Sequence, residues 1–334
     1  MFWMLSDKSE IHKILVISLS NIGDVILTFP VIDVLAHDFP LARISVVVGI
    51  KAEGLLQGNP YLDKVYIFDK KQPLRKTISW VMALRRKRFD CAVDLRNTAI
   101  PFLIFPKYRT SLAAGYKEDI SMKQKHLNRL RTVYAYACEP ETSHALFISE
   151  EDKSYVSGIF DKELGGNPRY AVVAVGAADQ SKRWLERGFV EVCGRLIKKY
   201  SLSIVLVGDE KDAAGGTRIA SGVQGPIINL CGRTTLVQLA EVIRRSLLTI
   251  ANDSAPMHLA SYLNKPVLAL FGPTDARKYG PWSTNSRYIK KDQFCPACQN
   301  PQEASRHTCL EAITAQEVLD SFDLCGDEVV FSRS

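Results

Sequence analysis

Residues 170–175 read Tyr-Ala-Val-Val-Ala-Val, a short apolar run of the same character as Lys-Ile-Leu-Val-Ile-Ser at residues 13–18. In each half of the chain a helix-length segment follows this run, and then another β-branched run comes at residues 44–48 or 203–207. Continuous apolar strands separated by helices are typical of a parallel sheet covered on both faces. The sequence therefore predicts an α/β protein made of two doubly wound, Rossmann-like units in tandem.

The remaining runs complete this pattern. Further strands are predicted at residues 65–68, 91–95, 247–251 and 266–271, and helices at residues 25–37, 186–200 and 210–220. A polar stretch with glycines, residues 149–169, is predicted as the linker. This interpretation gives domains of residues 1–160 and 161–334 that face a central cleft. In one alternative the last helix packs back on the N-terminal domain.

The composition is that of an ordinary globular protein, with 46% hydrophobic and 24% charged residues among 334. The N-terminus lacks a basic region before a long apolar stretch, and no run approaches the roughly 18 apolar residues of a membrane span. We therefore expect a protein that is neither secreted nor membrane-spanning. Eight cysteines, most of them scattered, do not resemble a small-domain disulfide framework, so a reducing compartment is expected.

Positive charge is concentrated between Lys70 and Arg131. This segment has 16 Lys and Arg residues and four Asp and Glu residues, whereas the whole chain has a net charge of +7. Such a stretch often contacts phosphates, nucleic acid or an anionic membrane, and solvated helix faces are the plain alternative. The segment lacks an interleaved aromatic platform or a known nucleic-acid motif, so a nucleic-acid partner is not expected.

The loop after the first predicted strand, residues 18–24, carries the first candidate functional residue. It lacks the Gly-x-Gly-x-x-Gly spacing of dinucleotide-binding proteins, which argues against a dehydrogenase. Asp24 lies near the start of the following helix. A carboxylate there is expected on structural grounds alone, because it complements the helix dipole and unpaired N–H groups.

Two loops of the second half offer weaker signals. In residues 176–184 small residues permit close backbone approach, and Lys182 or Arg183 can set a positive charge against phosphate. Glu210 follows the strand at residues 203–207, where an acid suits a pair of ribose or sugar hydroxyls. An acidic residue is also expected at the start of a helix, which explains Glu210 equally well.

The sharpest signal is Asn-Asp-Ser-Ala-Pro-Met-His-Leu-Ala at residues 252–260. Asn252, Asp253 and Ser254 are N-cap residue types and proline suits a first helical turn, so a helix is predicted to start here. Its N–H groups would form an anion site suited to a diphosphate. His258, one turn later, either contacts the ligand or serves only in packing.

Together these motifs resemble glycosyltransferase family 9, the ADP-heptose:lipopolysaccharide heptosyltransferases. The resemblance rests on residues 18–30 (Ser-x-x-Asn-Ile-Gly-Asp-Val-Ile-Leu-Thr-Phe-Pro), on residues 252–260 and on Phe-Gly-Pro-Thr-Asp at residues 271–275. Residues 59–65 and 181–184 are also similar to the family. The similarity extends from about residue 13 to residue 320.

The resemblance implies a GT-B fold, an acceptor-binding N-terminal domain, a donor-binding C-terminal domain and inversion at the anomeric carbon. It implies that Asp24 is the general base. It further implies a donor site that comprises Lys182, Glu210, Thr234, Asp253, Ser254, Ala255 and His258. Within the basic segment the candidate acceptor contacts are Arg96, Lys123, Lys125 and Arg129.

Direct displacement agrees with these assignments, because it needs one carboxylate base for the acceptor hydroxyl. The departing nucleotide diphosphate is already a good anion and needs no second carboxylic acid, unlike the leaving group of a glycosidase. Lys182 and the helix start near Asp253 can stabilise its charge, so no metal or other cofactor is expected to be obligatory.

The expected substrates and location follow from the family. ADP-heptose is the implied donor, the anionic inner core of lipopolysaccharide is the implied acceptor, and the enzyme is expected in the cytoplasm at the inner membrane's cytoplasmic face. Ala177 and Ala178 stand where relatives often have polar residues, and Leu185 stands where a proline is usual. Three alternatives therefore stay open: another nucleotide sugar, a protein acceptor, or a homologue that binds nucleotide sugar without catalysis.

Cys295, Cys298 and Cys309 form Cys-x-x-Cys followed by a third cysteine. A zinc site would need a fourth ligand such as His307 or Cys325, and the second half of a paired motif is absent. We therefore interpret these cysteines as a structural feature rather than a catalytic metal site.

Overall fold

The computed structural model divides the chain into two compact units, unit 1 (Met1–Phe147) and unit 2 (Ile148–Ser334). It describes residue 5 and residues 7–111, 119–166, 168–291 and 309–332. Each unit contains its own parallel β-sheet. No helix among the described residues is long and apolar enough to cross a membrane.

Unit 1 is an α/β unit with a five-stranded parallel sheet. Its strands are β1 (Lys13–Ile17), β2 (Arg43–Val48), β3 (Lys64–Ile67), β4 (Cys91–Asp94) and β5 (Tyr108–Arg109). Its helices are α1 (Ile22–Ile26), α2 (Phe29–Asp38), α3 (Glu53–Leu56), α4 (Leu74–Arg85), α5 (Ile100–Ile104) and α6 (Met122–Arg131). The strand order is β3-β2-β1-β4-β5.

Unit 2 has a six-stranded parallel sheet and a two-stranded antiparallel one. Its strands are β6 (Tyr170–Ala174), β7 (Ser203–Val207), β8 (Ile227–Asn229), β9 (Leu248–Asn252), β10 (Val267–Phe271), β11 (Ser286–Lys290), β12 (Phe322–Cys325) and β13 (Glu328–Phe331). Its helices are α7 (Glu150–Leu164), α8 (Glu186–Tyr200), α9 (Ala213–Ser221), α10 (Leu236–Arg245), α11 (Ala255–Tyr262), α12 (Ala276–Tyr279) and α13 (Ala315–Asp320). The large sheet has the order β11-β10-β9-β6-β7-β8, and β12 pairs with β13.

Both large sheets have a point where the strand order reverses. In unit 1 the chain proceeds from β1 outward to β3 and then returns to place β4 on the other side of β1. In unit 2 it proceeds from β6 to β8 and returns to place β9 beside β6. Ligands of open α/β sheets bind at such switch points, beyond the carboxyl ends of the strands. A ligand site is therefore expected at the loops after β1, β4, β6 and β9.

Apolar helix faces cover the sheets. On α8, Phe189, Val192, Cys193 and Leu196 recur at helical spacing, are fully buried and pack on the core side of the sheet of unit 2. Burial raises the pKa of the Cys193 thiol to about 12, so this side chain stays protonated and apolar in character.

The structure differs from the sequence prediction in one helix of unit 1. The helix predicted at residues 25–37 is split into α1 and α2 around Thr28. Pro30 lies in the first turn of α2, and it has no N–H to donate to the carbonyl of Ile26. A continuous helix through this point would therefore lose a hydrogen bond and place the proline ring against that carbonyl.

The predicted linker at residues 149–169 is wrong over most of its length, because α7 occupies it. Ser149 and Asp152 form a capping box at its N-terminus, and Phe160 is buried with its ring 5.0 Å from that of Tyr170. The predicted division between residues 160 and 161 thus falls inside α7, whereas the compact units divide after Phe147. The last helix, α13, packs on α8 within unit 2.

Candidate functional site

The loops at the switch point of unit 2 bring together two of the predicted donor-site residues. Lys182 ends a short 3₁₀ turn (Gln180–Lys182) after β6, and its Nζ donates to Oδ2 of Asp253, which follows β9, at 2.7 Å. The Asp253 side chain is 6% exposed and that of Lys182 is 31% exposed. The pair therefore buries its carboxylate while part of the lysine side chain stays exposed.

Asn252 fixes the loop that carries Lys182. This fully buried side chain accepts a hydrogen bond from the Trp184 N–H at 3.1 Å and donates to the Val175 carbonyl at 3.1 Å. The sequence indicated Asn252 only as an N-cap residue type. In the structure it ends β9 and holds the two ends of the neighbouring loop, because β9 lies beside β6.

Arg183 has a different role from Lys182. Its guanidinium donates to Oδ1 of Asp212 at 2.6 Å and to the Ala177 carbonyl at 2.7 Å. Asp212 is buried and also accepts from the Asp209 N–H. Arg183 therefore ties the loop after β6 to the loop after β7 through two hydrogen bonds, whereas Lys182 contacts Asp253; the two side chains are 28% and 31% exposed.

Two glycines make room for Asp212. A Cβ added to Gly176 would lie 1.9 Å from Asp212 Oδ2, and one added to Gly208 would lie 2.7 Å from that same oxygen. At such distances a Cβ at either position would force Asp212 to move. These glycines are required by a buried carboxylate that is 36 residues from the first of them, so the sequence alone could not reveal their role.

The N-terminus of α11 lies at the same switch point. Ser254 is the N-cap residue, but its hydroxyl donates to the Asn252 carbonyl at 3.2 Å and no side chain caps the first turn. Ala255 and Pro256 follow in that turn. An uncapped helix start with a neighbouring cation is suited to a negatively charged group.

The other predicted donor residues lie at different places around these loops. His258 is buried and stacks on Trp282 with ring centroids 5.7 Å apart, which gives it a packing role. Glu210 is exposed at the start of a 3₁₀ turn after β7, and its side chain makes no hydrogen bond or ion pair to another described residue. Thr234 is half-buried directly before Thr235, which caps α10.

Asp24 lies at the switch point of unit 1, in the first turn of α1. Its carboxylate is half-buried and accepts a hydrogen bond from the Asn21 side-chain amide at 2.9 Å. No backbone N–H of the described residues donates to this carboxylate. Asp24 therefore does not cap the helix through a backbone hydrogen bond, although its position in the first turn still complements the helix dipole.

The loop that carries Asp24 is held against the end of β2. A Cβ at Gly49 would lie 2.7 Å from the Ser20 Cα, so glycine allows the two backbones to approach. On the inner side, Ser18 and Thr28 share a buried hydrogen bond of 2.7 Å between their hydroxyl groups. These contacts fix both ends of the loop relative to the sheet.

The neighbouring loop after β4 contains Arg96 and is organised by Arg129. Arg129 is 5% exposed, and its Nε donates to the Asp94 carbonyl while Nη2 donates to Asn97 Oδ1 at 2.6 Å. The Arg96 guanidinium is 5.2 Å from the Phe68 ring centroid, and partial burial lowers its pKa. Arg129 is thus a supporting residue, and Arg96 is the cation that the loop presents.

The two lysines predicted on α6 are not equivalent. Lys123 forms an ion pair with Glu139 at 2.8 Å. Lys125 is half-buried and has no ion pair within the part of the chain that the structure describes. His126 beside it is buried, and burial together with the charges of Arg129 and Lys125 lowers its pKa to about 4.

The predicted cysteine feature lies mostly outside the described residues. Cys295, Cys298 and His307 are not among them, Cys309 begins a short 3₁₀ helix (Cys309–Ala312), and Cys325 is the last residue of β12. Within the described residues no three His, Cys, Asp or Glu side chains are grouped so as to hold a metal ion.

A chain with two Rossmann-like units is typical of the GT-B class of glycosyltransferases. Comparisons with known proteins agree with this class. Residues 78–308 match the model of glycosyltransferase family 9 (heptosyltransferase). The chain belongs to this family.

Relatives and solved structures extend the similarity over nearly the whole chain. Lipopolysaccharide heptosyltransferase 3 of Escherichia coli K12 is 26% identical over 286 residues, which are 79% of this chain and 83% of that protein. The structure of E. coli ADP-heptose lipopolysaccharide heptosyltransferase II is also 26% identical, with a TM-score of 0.72 and coverage of 92% and 96%. E. coli heptosyltransferase WaaC with ADP shares the fold, with 17% identity, a TM-score of 0.67 and coverage of 92% and 98%.

Proposed function

We propose that this glycosyltransferase transfers heptose from ADP-heptose to the inner core of lipopolysaccharide, with inversion at the anomeric carbon. The observation that carries the proposal is the exposed end of the Lys182–Asp253 pair beside the uncapped start of α11. It is the kind of site that a diphosphate requires. The choice of heptose, ADP and lipopolysaccharide as substrates is taken from the names of the relatives and solved structures.

In this proposal unit 2 binds the donor. Lys182 and the first turn of α11, with Ser254 and Ala255, hold the diphosphate, while Asp253 orients Lys182. Glu210 and Thr234 take the ribose side of the nucleotide, since Glu210 is exposed and has no competing ion pair among the described residues. His258 supports the loop through Trp282.

Asp24 acts as the general base in unit 1. It removes the proton of the acceptor hydroxyl as the hydroxyl oxygen forms a bond to the anomeric carbon of heptose. The bond between that carbon and the diphosphate oxygen breaks, and ADP leaves with the electron pair. The developing negative charge is stabilised by Lys182 and the N-terminus of α11, so the proposal needs no metal for this step.

Unit 1 binds the anionic acceptor. Arg96 and Lys125 are the contacts proposed here, because neither forms an ion pair with another described residue. Lys123 would have to exchange Glu139 for the acceptor, and Arg129 acts by holding the Arg96 loop. The proposed location is the cytoplasmic face of the inner membrane, with peripheral attachment, since the acceptor is lipid-anchored.

A donor competition assay tests the identity of the nucleotide sugar. The protein is incubated with acceptor and radiolabelled ADP-heptose, and unlabelled ADP-heptose, UDP-glucose or GDP-mannose is added as competitor. Of the three competitors at equal concentration, only ADP-heptose should reduce the transfer of label. Stronger competition by another nucleotide sugar would favour the alternative donor that Ala177 and Ala178 leave open.

A further inference from the structure

The outer side of α4 has an unusual row of exposed apolar residues. Leu74, Ile78 and Met82 are 73%, 54% and 43% exposed. They are four residues apart, so they lie along one side of the helix. Val81 and Leu84 of the same helix are buried in the core of unit 1, so the exposed row is a second apolar surface that the fold does not use.

Phe105 extends this row beyond the helix. It follows α5, is 64% exposed, and its ring centroid is 4.7 Å from the Arg85 guanidinium at the end of α4. Its backbone is left-handed, with φ of 54°, a conformation that is unfavourable for a bulky residue. We call Leu74, Ile78, Met82 and Phe105 the α4 face.

Positive charge surrounds the α4 face. Residues 70–89 contain eight Lys and Arg residues and no Asp or Glu. On and just after the helix, Arg75, Lys76, Arg85 and Arg86 are exposed. An apolar strip bordered by basic residues is typical of a helix that lies in the interface of an anionic bilayer.

The positive charge also distinguishes between the classes of partner that can cover this surface. A symmetric contact between two copies of the chain would bring two cationic faces together, which is electrostatically unfavourable. An anionic bilayer has negatively charged head groups that can pair with the basic residues around the α4 face. Its hydrocarbon can take up the apolar residues of that face. We propose that the α4 face binds unit 1 to a bilayer that contains anionic lipid.

This inference rests on the proposed function in one respect, because a lipid-anchored acceptor requires the enzyme to work at a membrane. Binding to vesicles, however, needs neither donor nor acceptor. A protein that binds vesicles and does not transfer heptose would contradict the proposed function alone. A protein that transfers heptose to a soluble core acceptor and ignores vesicles would contradict the present inference alone.

The test is flotation of the full chain with phosphatidylcholine vesicles, with or without about a quarter of phosphatidylglycerol. The wild type should float with the anionic vesicles only, and added salt should release it. Ile78→Ser with Met82→Ser should lower the bound fraction at least about tenfold, because two apolar anchors are lost. Leu41→Ser, which removes a leucine that is 92% exposed elsewhere in unit 1, should change nothing.

Three further variants give independent checks of the result. Arg75→Gln with Arg86→Gln should weaken binding to the anionic vesicles and reduce its dependence on salt. Ile78→Trp should show a blue shift of its fluorescence with anionic vesicles, and Leu41→Trp should show none. The proposal is overturned if the wild type does not float or if the Ile78/Met82 variant floats equally well. It is also overturned if the α4 face proves to be covered by a second protein chain in solution.

Discussion

Lys182 Nζ and Asp253 Oδ2 are 2.7 Å apart although 71 residues separate them in the sequence. The two residues meet because β6 and β9 are neighbours in the sheet, so the loops after these strands share one edge. The carboxylate is almost fully buried, and the lysine is the part of the pair that solvent reaches. Asp253 thus orients Lys182 and leaves part of the lysine side chain exposed to solvent.

Replacing Lys182 should therefore weaken nucleotide binding. Lys182→Ala removes a charge-assisted hydrogen bond worth about 1.5–3 kcal/mol, which corresponds to an ADP affinity roughly 10- to 100-fold lower. Isothermal titration calorimetry with ADP measures the change. Lys198→Ala, at an exposed lysine on α8, is the matched control and should bind ADP as the wild type does. Unchanged affinity in Lys182→Ala would refute the diphosphate contact.

Gly176→Ala should destabilise unit 2. The new methyl group would overlap Asp212 and separate it from Arg183, at a cost of about 1–3 kcal/mol. Gly194→Ala is the control, because nothing lies within 4 Å of its added Cβ inside α8. That variant should be more stable by up to about 1 kcal/mol. Thermal unfolding of both proteins gives the comparison, and equal midpoints would contradict the proposed packing.

Variants of three of the four arginine and lysine candidates in unit 1 should fall into two groups. Arg96→Ala and Lys125→Ala should raise KM for the lipopolysaccharide core while the unfolding midpoint stays near that of the wild type. Arg129→Ala should lower the midpoint, since the Asp94 carbonyl and Asn97 lose a buried donor worth about 1–3 kcal/mol. Steady-state kinetics combined with thermal unfolding distinguishes residues that contact the acceptor from residues that stabilise the loop. A stable Arg129→Ala protein with raised KM alone would reverse this assignment.

His126 should make stability depend on pH in the mildly acidic range. Its pKa is about 4 in the folded protein and near 6.5 when unfolded, so the unfolded state binds more protons between these values. Stability should therefore fall as pH decreases from about 6.5 to 4, by up to about 1.4 kcal/mol per pH unit. Denaturant unfolding at several pH values measures the slope. His126→Gln should have a shallower slope, and an identical slope would show that other groups cause it.

Much of the fold could be predicted because local patterns determine it. Helix α8 has the predicted ends, residues 186 and 200, and the strands β6, β7 and β9 were predicted within one residue at each end. The break between α1 and α2 depends on the position of Pro30 within a pattern that otherwise continues. Helix α7 was missed because its sequence is polar and only two residues of its length, Val156 and Phe160, are buried.

The candidate site was predictable in its residues more than in its contacts. Loops after strands identified Lys182, Asp253 and Asp24, since these positions follow from the α/β pattern. The partner of each residue depends on strand order, which a single sequence does not determine. For this reason the sequence could not separate Lys182 from Arg183, nor reveal that Arg129 is buried under the Arg96 loop.

The most direct test of the account is transfer of heptose from ADP-heptose to heptose-free and heptose-deficient lipopolysaccharide cores. The wild type is compared with Asp24→Ala after both proteins are shown to have the same unfolding midpoint and the same affinity for ADP. The account predicts transfer to one of these acceptors by the wild type and a turnover number roughly 10²- to 10⁴-fold lower in Asp24→Ala. Undiminished turnover in Asp24→Ala, or no transfer to either core by the wild type, would contradict it.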